Sequence, residues 1–172
     1  MNDFIIRTAH ESEAAQIAKV QVETWQYAYN GHIPQNYLNN LSIKERTHKW
    51  KEILTNQISI NKTFVAEVDN KIVGFCSVGE SRENGGDNKT GELLAIYVDQ
   101  NFMHKGIGSA LMKESLDYLK KHGFIKAILW VLSSNDNARI WYEERGWKTD
   151  GKTKKHRRVN ATTKETRYYI FL

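Results

Sequence analysis

The spacing of apolar residues along the chain predicts helices and strands in turn. "FIIR" near the N-terminus matches a short strand, and Thr8-x-x-Glu11 matches a capping box that would start a helix. The apolar face of that helix recurs at helical spacing over Ala14, Ile17, Ala18, Val22 and Trp25. Pro34 and the polar residues after it break this helix, and Ser42-x-x-Glu45 is typical of the start of a second one.

The middle of the chain is dominated by strand patterns. "TFVAEV" and "KIVGFCSVGE" flank Asp69–Asn70, a two-residue signal for a hairpin turn. "GELLAIYVD" is almost continuously apolar, as expected of a central strand buried on both faces. A helix over 107–122, the strand "KAILWVL", a helix over 135–145 and strands around "WKTDG" and "ETRYYIFL" follow. The order β-α-α-β-β-β-α-β-α-β-β predicts one mixed α/β domain over residues 1–172.

The composition is typical of a globular protein, with 40% hydrophobic and 26% charged residues among 172. No apolar run reaches the roughly 18 residues that a membrane-spanning helix needs, and the N-terminal sequence lacks the pattern of a signal peptide. Cys76 is the single cysteine, so an internal disulfide and a cysteine-based metal site are excluded. The six histidines include no i, i+4 pair, so no metal is expected. Together these features favour a protein of the reducing cytoplasm that does not enter a membrane.

The positive charge is concentrated near the C-terminus. The chain has a net charge of +5, and residues 148–167 alone hold eight basic residues against two acidic ones. Such a run is typical of a solvated hairpin, but it could also attract an anionic ligand or partner. Tyr168 and Tyr169 are the aromatic residues near the run and form no evident stacking platform, so we do not expect nucleic acid as a partner.

Two glycines separate the central strand from the helix that follows it, in "DQNFMHKGIGSALM", residues 99–112. A helix start presents unpaired backbone N–H groups and the positive end of the helix dipole, so it binds anions. Gly106 and Gly108 would let a phosphate approach those groups, with His104 and Lys105 adding charge nearby. Alternatively, the glycines only permit a tight turn. The turn does not match a dinucleotide-binding fingerprint, because the position of its third glycine is Leu111.

The glycine turn resembles a signature of the GNAT superfamily of acetyl-CoA-dependent N-acetyltransferases, Q/R-x-x-G-x-G/A. The matching residues are Met103-His104-Lys105-Gly106-Ile107-Gly108, with Met103 in the place of Gln or Arg. "SNDNARIWYEERGW" resembles the second motif of the family, N-x-x-A-x-x-F/W-Y-x-x-x-G-F/W, with Asn135, Ala138, Trp141, Tyr142, Gly146 and Trp147 in register. The order of the elements is similar to that of the family over nearly the whole chain.

The resemblance implies an α/β (α+β) fold in which a mixed central sheet is splayed between its fourth and fifth strands and carries helices on both faces. It also implies acetyl-CoA as the cosubstrate. The pyrophosphate would bind the backbone N–H groups of His104, Lys105, Gly106, Ile107, Gly108 and Ser109. The pantetheine arm would pair with the backbone near Ile96 and Val98. Asn135 would bind the pantetheine amide through its side chain, although its position suits a helix N-cap equally.

Two residues are candidates for the proton transfers of the reaction. Tyr142 matches the general acid of the family, since a phenol of pKa about 10 can protonate a departing thiolate of pKa about 8.5; alternatively it is a core aromatic residue. Glu92 is the first candidate for the general base, because it would share a strand face with Leu94 and Ile96, although it could also be a solvent-facing strand end. Glu80, at the end of the preceding strand, is the second.

The family selects its acceptor mainly through the first two helices, the loop between them and the last hairpin. Tyr29 and Tyr37, near the break at 31–34, and Trp25 before it are therefore candidate substrate-binding residues, although Trp25 also fits the core face of its helix. An aromatic wall would suit an organic cation or a hydrophobic amine. We expect an acyltransferase, more closely an N-acetyltransferase, that acts on a primary amine of a small molecule.

Three alternatives remain open. The acceptor could be a lysine or the N-terminus of a protein or peptide, the chain could be a non-catalytic acyl-CoA-binding module, or the basic hairpin could bind nucleic acid. Tyr142 argues against the second alternative, and only charge supports the third. Members of the family often dimerise through the C-terminal strands, so a homodimer is also among the partners to expect.

Overall fold

The computed structural model describes residues 4–56, 60–83, 88–158 and 161–172, which build one seven-stranded mixed sheet with five α-helices. The strands are β1 (Ile5–Thr8), β2 (Lys62–Val68), β3 (Lys71–Glu80), β4 (Thr90–Val98), β5 (Lys126–Leu132), β6 (Lys148–Arg158) and β7 (Ala161–Phe171). The helices are α1 (Ala14–Ala28), α2 (Gln35–Asn39), α3 (Ile43–Thr55), α4 (Ile107–Lys121) and α5 (Asp136–Glu143). Short 3-10 turns cover Glu11–Glu13 and Gln100–Phe102.

The sheet is open between β4 and β5. Its strand order is β1-β2-β3-β4-β5-β7-β6, and each neighbouring pair is antiparallel except β4 and β5, which run parallel. These two strands pair at three rungs, the last of which joins Glu92 to Ile128. Beyond that rung, within the described part of the chain, β4 pairs with β3 alone and β5 pairs with β7 alone. The splay that the family resemblance implies is confirmed, and it leaves two backbone edges facing a gap.

Helices cover both faces of the sheet, as predicted. On one face α1 and α3 pack on β2 and β3, where Ile17 and Trp50 meet Phe75. On the other face α4 and α5 pack through side chains that include Leu111 and Tyr142. The gap between β4 and β5, which we call the fork, therefore opens between two helical layers.

Helix α1 starts later than the capping-box pattern predicts. Thr8 is part of β1 and pairs with β2, so it does not cap a helix. Instead, the Glu13 carboxylate accepts the backbone N–H of His10 at 2.7 Å and closes a 3-10 turn before the helix. The Thr8–Glu11 prediction is wrong because pairing with a neighbouring strand outweighs a local cap. The apolar face predicted for α1 is confirmed, since all five of its residues are buried.

The predicted hairpin turn after β2 and the predicted cap of α3 are both confirmed. Asp69 and Asn70 have positive φ angles of 49° and 61°, the left-handed pair that a two-residue type I′ hairpin requires. Ser42 Oγ accepts the backbone N–H of Glu45 at 3.2 Å and caps α3 as predicted. Helix α1 ends at Ala28, before Pro34, as predicted. The residues after Pro34 form the short helix α2, which was not predicted, because proline lacks an N–H group and suits a helix start.

The basic C-terminal run is itself a strand, whereas the sequence predicts two short strands that enclose it. Residues 148–158 form one strand, β6, whose pairing with β7 shifts in register between Thr149 and Thr153. Beyond this shift, opposite charges face each other at the Lys154–Glu165 rung. The string GWKTDGKT at 146–153 matches the letters of a P-loop, G-x-x-x-x-G-K-T. It does not form one, because β6 continues past it and no helix follows.

Candidate active site

The turn before α4 combines unpaired N–H groups with room for a ligand. Gly106 caps the helix with a φ of 84°, in the left-handed region, and His104 has a φ of 60°. A Cβ atom at Gly106 would have no neighbour within 4 Å. Within residues 4–56, 60–83, 88–158 and 161–172, no hydrogen bond uses the backbone N–H groups of residues 104–109. These groups are therefore available to an anion at the positive end of the α4 dipole.

Gly108 has a different role from Gly106. A Cβ atom at Gly108 would lie 3.2 Å from Cζ2 of Trp141, so the missing side chain lets this indole pack on the first turn of α4. The Arg145 guanidinium lies 4.2 Å from the Trp141 ring centroid, and its Nε atom donates to Ser109 Oγ at 3.1 Å. This arginine adds positive charge at the start of α4. Its position inside the second motif does not reveal that role, because sequence spacing alone does not show which helix it contacts.

The open edge of β4 carries the residues expected near the pantetheine arm. Ile96 and Val98 lie beyond the last rung with β5, and their side chains pack in the core on the α4 side. It is therefore their backbone edge that borders the fork. Asn135 caps α5, since its Oδ1 atom accepts the Ala138 N–H at 3.1 Å. The N-cap alternative is realised, and the NH₂ group is the part of Asn135 that can donate to a ligand.

A bulge in β4 changes which side chains share a face. The β3–β4 register shifts so that Leu94 has no partner strand residue. Leu93 and Ile96 consequently both pack on the α4 side, whereas Tyr97 packs on the α1 and α3 side. By alternation from Leu93, Glu92 faces the same side as Tyr97. The prediction that Glu92 shares a face with Ile96 is wrong for this reason.

Glu92 is buried and forms an ion pair. It is 2% exposed, and its Oε1 atom accepts hydrogen bonds from Nε of Arg82 at 3.2 Å and from Nη2 at 2.5 Å. Its Oε2 atom accepts the backbone N–H of Arg82 at 2.9 Å. Glu92 is therefore not a solvent-facing strand end. Arg82 lies in a loop without periodic pattern, so the sequence offered no signal for it. Glu80 is exposed at the end of β3.

Tyr142 is both a core residue and a candidate acid. It is 9% exposed, and its ring packs at centroid distances of 5.2 Å from Trp141 and 6.1 Å from Trp147. Burial raises the pKa of Tyr142 well above that of a free tyrosine, with smaller contributions from Tyr97 and Cys76. The phenol therefore keeps its proton throughout the neutral range. Tyr142 also belongs to the core cluster against which Ile96 and Val98 of β4 pack, although its own helix follows β5.

Aromatic residues of the α1 region lie on the side of the sheet that Glu92 faces. The hydroxyl oxygens of Tyr29 and Tyr97 are 3.3 Å apart, and Trp25 packs edge-on against Tyr29 at 5.1 Å. Trp25 is 9% exposed, in agreement with the core alternative. Tyr37 packs with a cluster that includes Leu132 at the end of β5. Tyr29 thus contacts Tyr97 of β4 and also packs, with Tyr37, against the cluster that contains Leu132 of β5, so both tyrosines lie near the fork.

The structure also bears on thiol, metal and membrane sites. Cys76 is buried, and burial raises the pKa of its thiol to about 12. Across the described ranges, side chains of metal-ligand type do not gather in groups of three or more. None of the helices in those ranges has the length and apolar character needed to cross a bilayer.

A family model described as "Acetyltransferase (GNAT) family" matches residues 23–147, a stretch that contains both motifs and both arms of the fork. The chain belongs to the GNAT family. This GNAT protein is an enzyme of the N-acetyltransferase class, and it is 36% identical over 141 residues to YuaI of Bacillus subtilis, an uncharacterized N-acetyltransferase. The alignment covers 80% of this chain and 76% of YuaI.

Two further proteins resemble the GNAT enzyme. A spermidine N(1)-acetyltransferase of Thermoplasma acidophilum is 29% identical over 153 residues, which cover 85% of this chain and 91% of that protein. The crystal structure of the PaiA N-acetyltransferase from the same organism, in complex with coenzyme A, matches with a TM-score of 0.77 at 21% identity. The match covers 95% of this chain and 98% of the PaiA chain. That likeness concerns the fold, and it confirms the predicted fold class.

Proposed function

We propose that this GNAT enzyme transfers the acetyl group of acetyl-CoA to a primary amine of a small molecule, and that residues 1–172 act as one N-acetyltransferase domain. The observation that carries the proposal is the fork, which opens after Glu92 beside a buried tyrosine that stays protonated, Tyr142. The reducing cytoplasm is the expected compartment, because Cys76 is the single cysteine and cannot form an internal disulfide.

The residues around the fork fit acetyl-CoA from its pyrophosphate to its thioester. The unpaired N–H groups of residues 104–109 would bind the pyrophosphate, and the Arg145 guanidinium would add positive charge beside them. The backbone edge at Ile96 and Val98 would pair with amide groups of the pantetheine arm, as a neighbouring strand would. The NH₂ group of Asn135 would donate to a carbonyl of that arm. Acetyl-CoA itself supplies an acetyl group activated as a thioester.

Tyr142 would act as the general acid. The amine nitrogen forms a bond to the acetyl carbonyl carbon, the carbon–sulfur bond breaks, and sulfur leaves with the electron pair. The phenol proton of Tyr142 passes to that sulfur, and the proton that the amine nitrogen loses restores the phenol. The products are therefore the N-acetylated amine and CoA as a free thiol. Burial raises the pKa of Tyr142, so the phenol is protonated at neutral pH, as a general acid must be before the sulfur leaves.

Glu92 would take the proton that makes the acceptor nucleophilic. A lysine-like amine has a pKa of about 10.4, so it must lose a proton before it attacks at neutral pH. Within the described surroundings, Oε2 of Glu92 accepts one hydrogen bond, from the Arg82 N–H, and it keeps a second acceptor direction for a bridging water. Glu92 also lies at the rung where the fork opens, on the face that carries Tyr97.

The acceptor would enter on the side of Tyr29 and Tyr37, with Trp25 supporting Tyr29 from the core. His32 Nδ1 lies 3.0 Å from Ser134 Oγ, so a hydrogen bond ties the loop after α1 to the residues that start α5. This contact would narrow the entry for the acceptor, which suits a small amine better than a folded protein. The relative named for spermidine supports the same class of acceptor. A lysine or an N-terminus of a protein is the alternative acceptor.

The test is CoA release from acetyl-CoA with a panel of small primary amines and a lysine peptide. We expect the wild type to acetylate small amines, and Tyr142→Phe to lower kcat by about 10²-fold or more. The dissociation constant of acetyl-CoA for Tyr142→Phe should equal that for the wild type, because phenylalanine keeps the packing against Trp147. Tyr118→Phe on α4, whose ring packs against Phe64, is the matched control. Equal kcat values in the two variants would refute the role of Tyr142, and acetylation of the peptide alone would refute a small-molecule acceptor.

A further inference from the structure

Trp130 lies on the acceptor side of the fork. It is a half-buried residue of β5, two positions past the last rung with β4, which is about 7 Å along the strand. Its neighbours Leu129 and Val131 face the core that contains Tyr142, so Trp130 faces the opposite side. Leu132, on the same side as Trp130, packs against residues of the loop after α1 and of α2. The indole is therefore placed where an acceptor bound at the fork can reach it.

An ammonium group already covers the face of this indole. The Nζ atom of Lys154 lies 4.1 Å from the Trp130 ring centroid and 3.5 Å from Oε2 of Glu165. Lys154 of β6 is opposite Glu165 of β7, and Glu165 is opposite Leu132 of β5, so the three side chains share one face of the sheet. An indole face beside a carboxylate forms a site that matches a primary ammonium group.

The charges around Trp130 leave this site accessible to a cation. Arg167, opposite Trp130 in the β5–β7 register, is hydrogen-bonded to Glu83 and Asp150, and its side chain is 15% exposed. These carboxylates compensate its positive charge. The Lys154 side chain is 40% exposed, and its ammonium group stands at the end of a flexible alkyl chain. This group can therefore move into water at a small cost in free energy.

We propose that Trp130 and Glu165 form a subsite for a second ammonium group of the acceptor, which displaces Lys154, and that the acceptor is a diamine or a polyamine. The inference rests on the proposed function and names its substrate class. The reacting nitrogen would lie at the fork and the second ammonium at the indole, a separation on the scale of a short alkyl chain. Lys154 covers the indole until an acceptor arrives.

The test compares butane-1,4-diamine with butylamine at saturating acetyl-CoA, and the measured quantity is the ratio of their kcat/KM values. The diamine has two equivalent nitrogens, so a ratio of about two needs no subsite. We expect a wild-type ratio of about ten or more, expressed in KM rather than kcat because the second ammonium binds away from the reacting atoms. Lys154→Ala should raise the ratio about threefold. Trp130→Leu should bring it close to two, since a cation–π contact is worth about twofold to thirtyfold in binding.

Lys155→Ala is the matched control. Lys155 is the next residue of β6, it is exposed on the opposite face, and its removal changes the net charge by the same amount, so the ratio should stay at the wild-type value. Trp130→Phe keeps an aromatic face and should give an intermediate ratio even if Trp130→Leu folds poorly. A wild-type ratio near two that Lys154→Ala does not change would overturn the subsite, while acetylation of both amines would uphold the proposed function. No CoA release with either amine, despite intact acetyl-CoA binding, would overturn both.

Discussion

Helix α4 offers a matched pair of substitutions that tests its N-terminus as the site for the anionic end of acetyl-CoA. Gly106 precedes the helix and Gly123 follows it, with φ angles of 84° and 89°. A Cβ atom at either position would have no neighbour within 4 Å. Gly106→Trp and Gly123→Trp therefore introduce the same side chain and the same left-handed strain, which costs about 1–2 kcal/mol of folding stability in each case. Of the two glycines, only Gly106 lies among the residues with unpaired N–H groups, 104–109.

The expected effect on binding is much larger than the effect on stability. A hydrogen bond to a charged group contributes about 1.5–3 kcal/mol, so an indole that keeps the pyrophosphate away from two of the N–H groups costs about 3–6 kcal/mol. The dissociation constant of acetyl-CoA for Gly106→Trp should therefore rise by about 100-fold or more, and that for Gly123→Trp should stay at the wild-type value. Titration calorimetry with acetyl-CoA measures the binding, and urea unfolding of both variants checks that their stabilities match.

Equal acetyl-CoA affinity in the two variants would refute the reasoning. Gly106 would then serve only the turn between β4 and α4, and the anion would have to bind elsewhere. A loss of affinity in both variants, with equal stability, would also contradict it, because Gly123 lies at the far end of the helix from the unpaired N–H groups.

Three further predictions concern single residues of the site. Glu92→Gln should lower kcat/KM for the acceptor by about 10²-fold at pH 7. The difference in kcat/KM from the wild type should shrink toward pH 10, where the amine loses its proton unaided. A difference that is constant with pH would contradict the role of Glu92 as base. Arg145→Ala should weaken acetyl-CoA binding about tenfold in calorimetry, and an unchanged dissociation constant would exclude the arginine from the site. Because burial raises the pKa of Tyr142, the unfolded chain releases that proton first, so the free energy of unfolding should fall above about pH 10. In urea titrations Tyr142→Phe should reduce this fall in the free energy of unfolding by up to about 1.4 kcal/mol per pH unit. If the free energy of unfolding falls equally with pH in the wild type and the variant, the raised pKa is not that of Tyr142.

Local patterns predicted most elements of this protein in their observed order, although not the short helix α2 or the full length of β6. Helical spacing defined the buried face of α1, and Asp69–Asn70 specified a two-residue turn with two positive φ angles. The motifs around Gly106 and Asn135 indicated the family, and with it the splayed sheet. These features could be predicted because periodicity, turn chemistry and capping depend on residues that are close in sequence.

Which candidate groups meet was decided by the tertiary structure. The bulge at Leu94 depends on the register between β3 and β4, and it places Glu92 on the face of the sheet that carries Tyr97 instead of the face that carries Ile96. Arg82 reaches Glu92 from an irregular loop, and Arg145 reaches Ser109 across 36 positions of the chain. No spacing in the sequence encodes these contacts, because each depends on how separate elements pack.

The subsite at Trp130 also depends partly on the sequence and partly on the tertiary structure. The sequence identifies β5 as a strand and residues 148–167 as a basic segment, but it does not relate the two. Lys154 covers Trp130 because β6 pairs with β7 and β7 pairs with β5, in a register that places both side chains on one face of the sheet. Register over three strands is a property of the whole sheet, since it is specified by the burial of its faces rather than by any single strand.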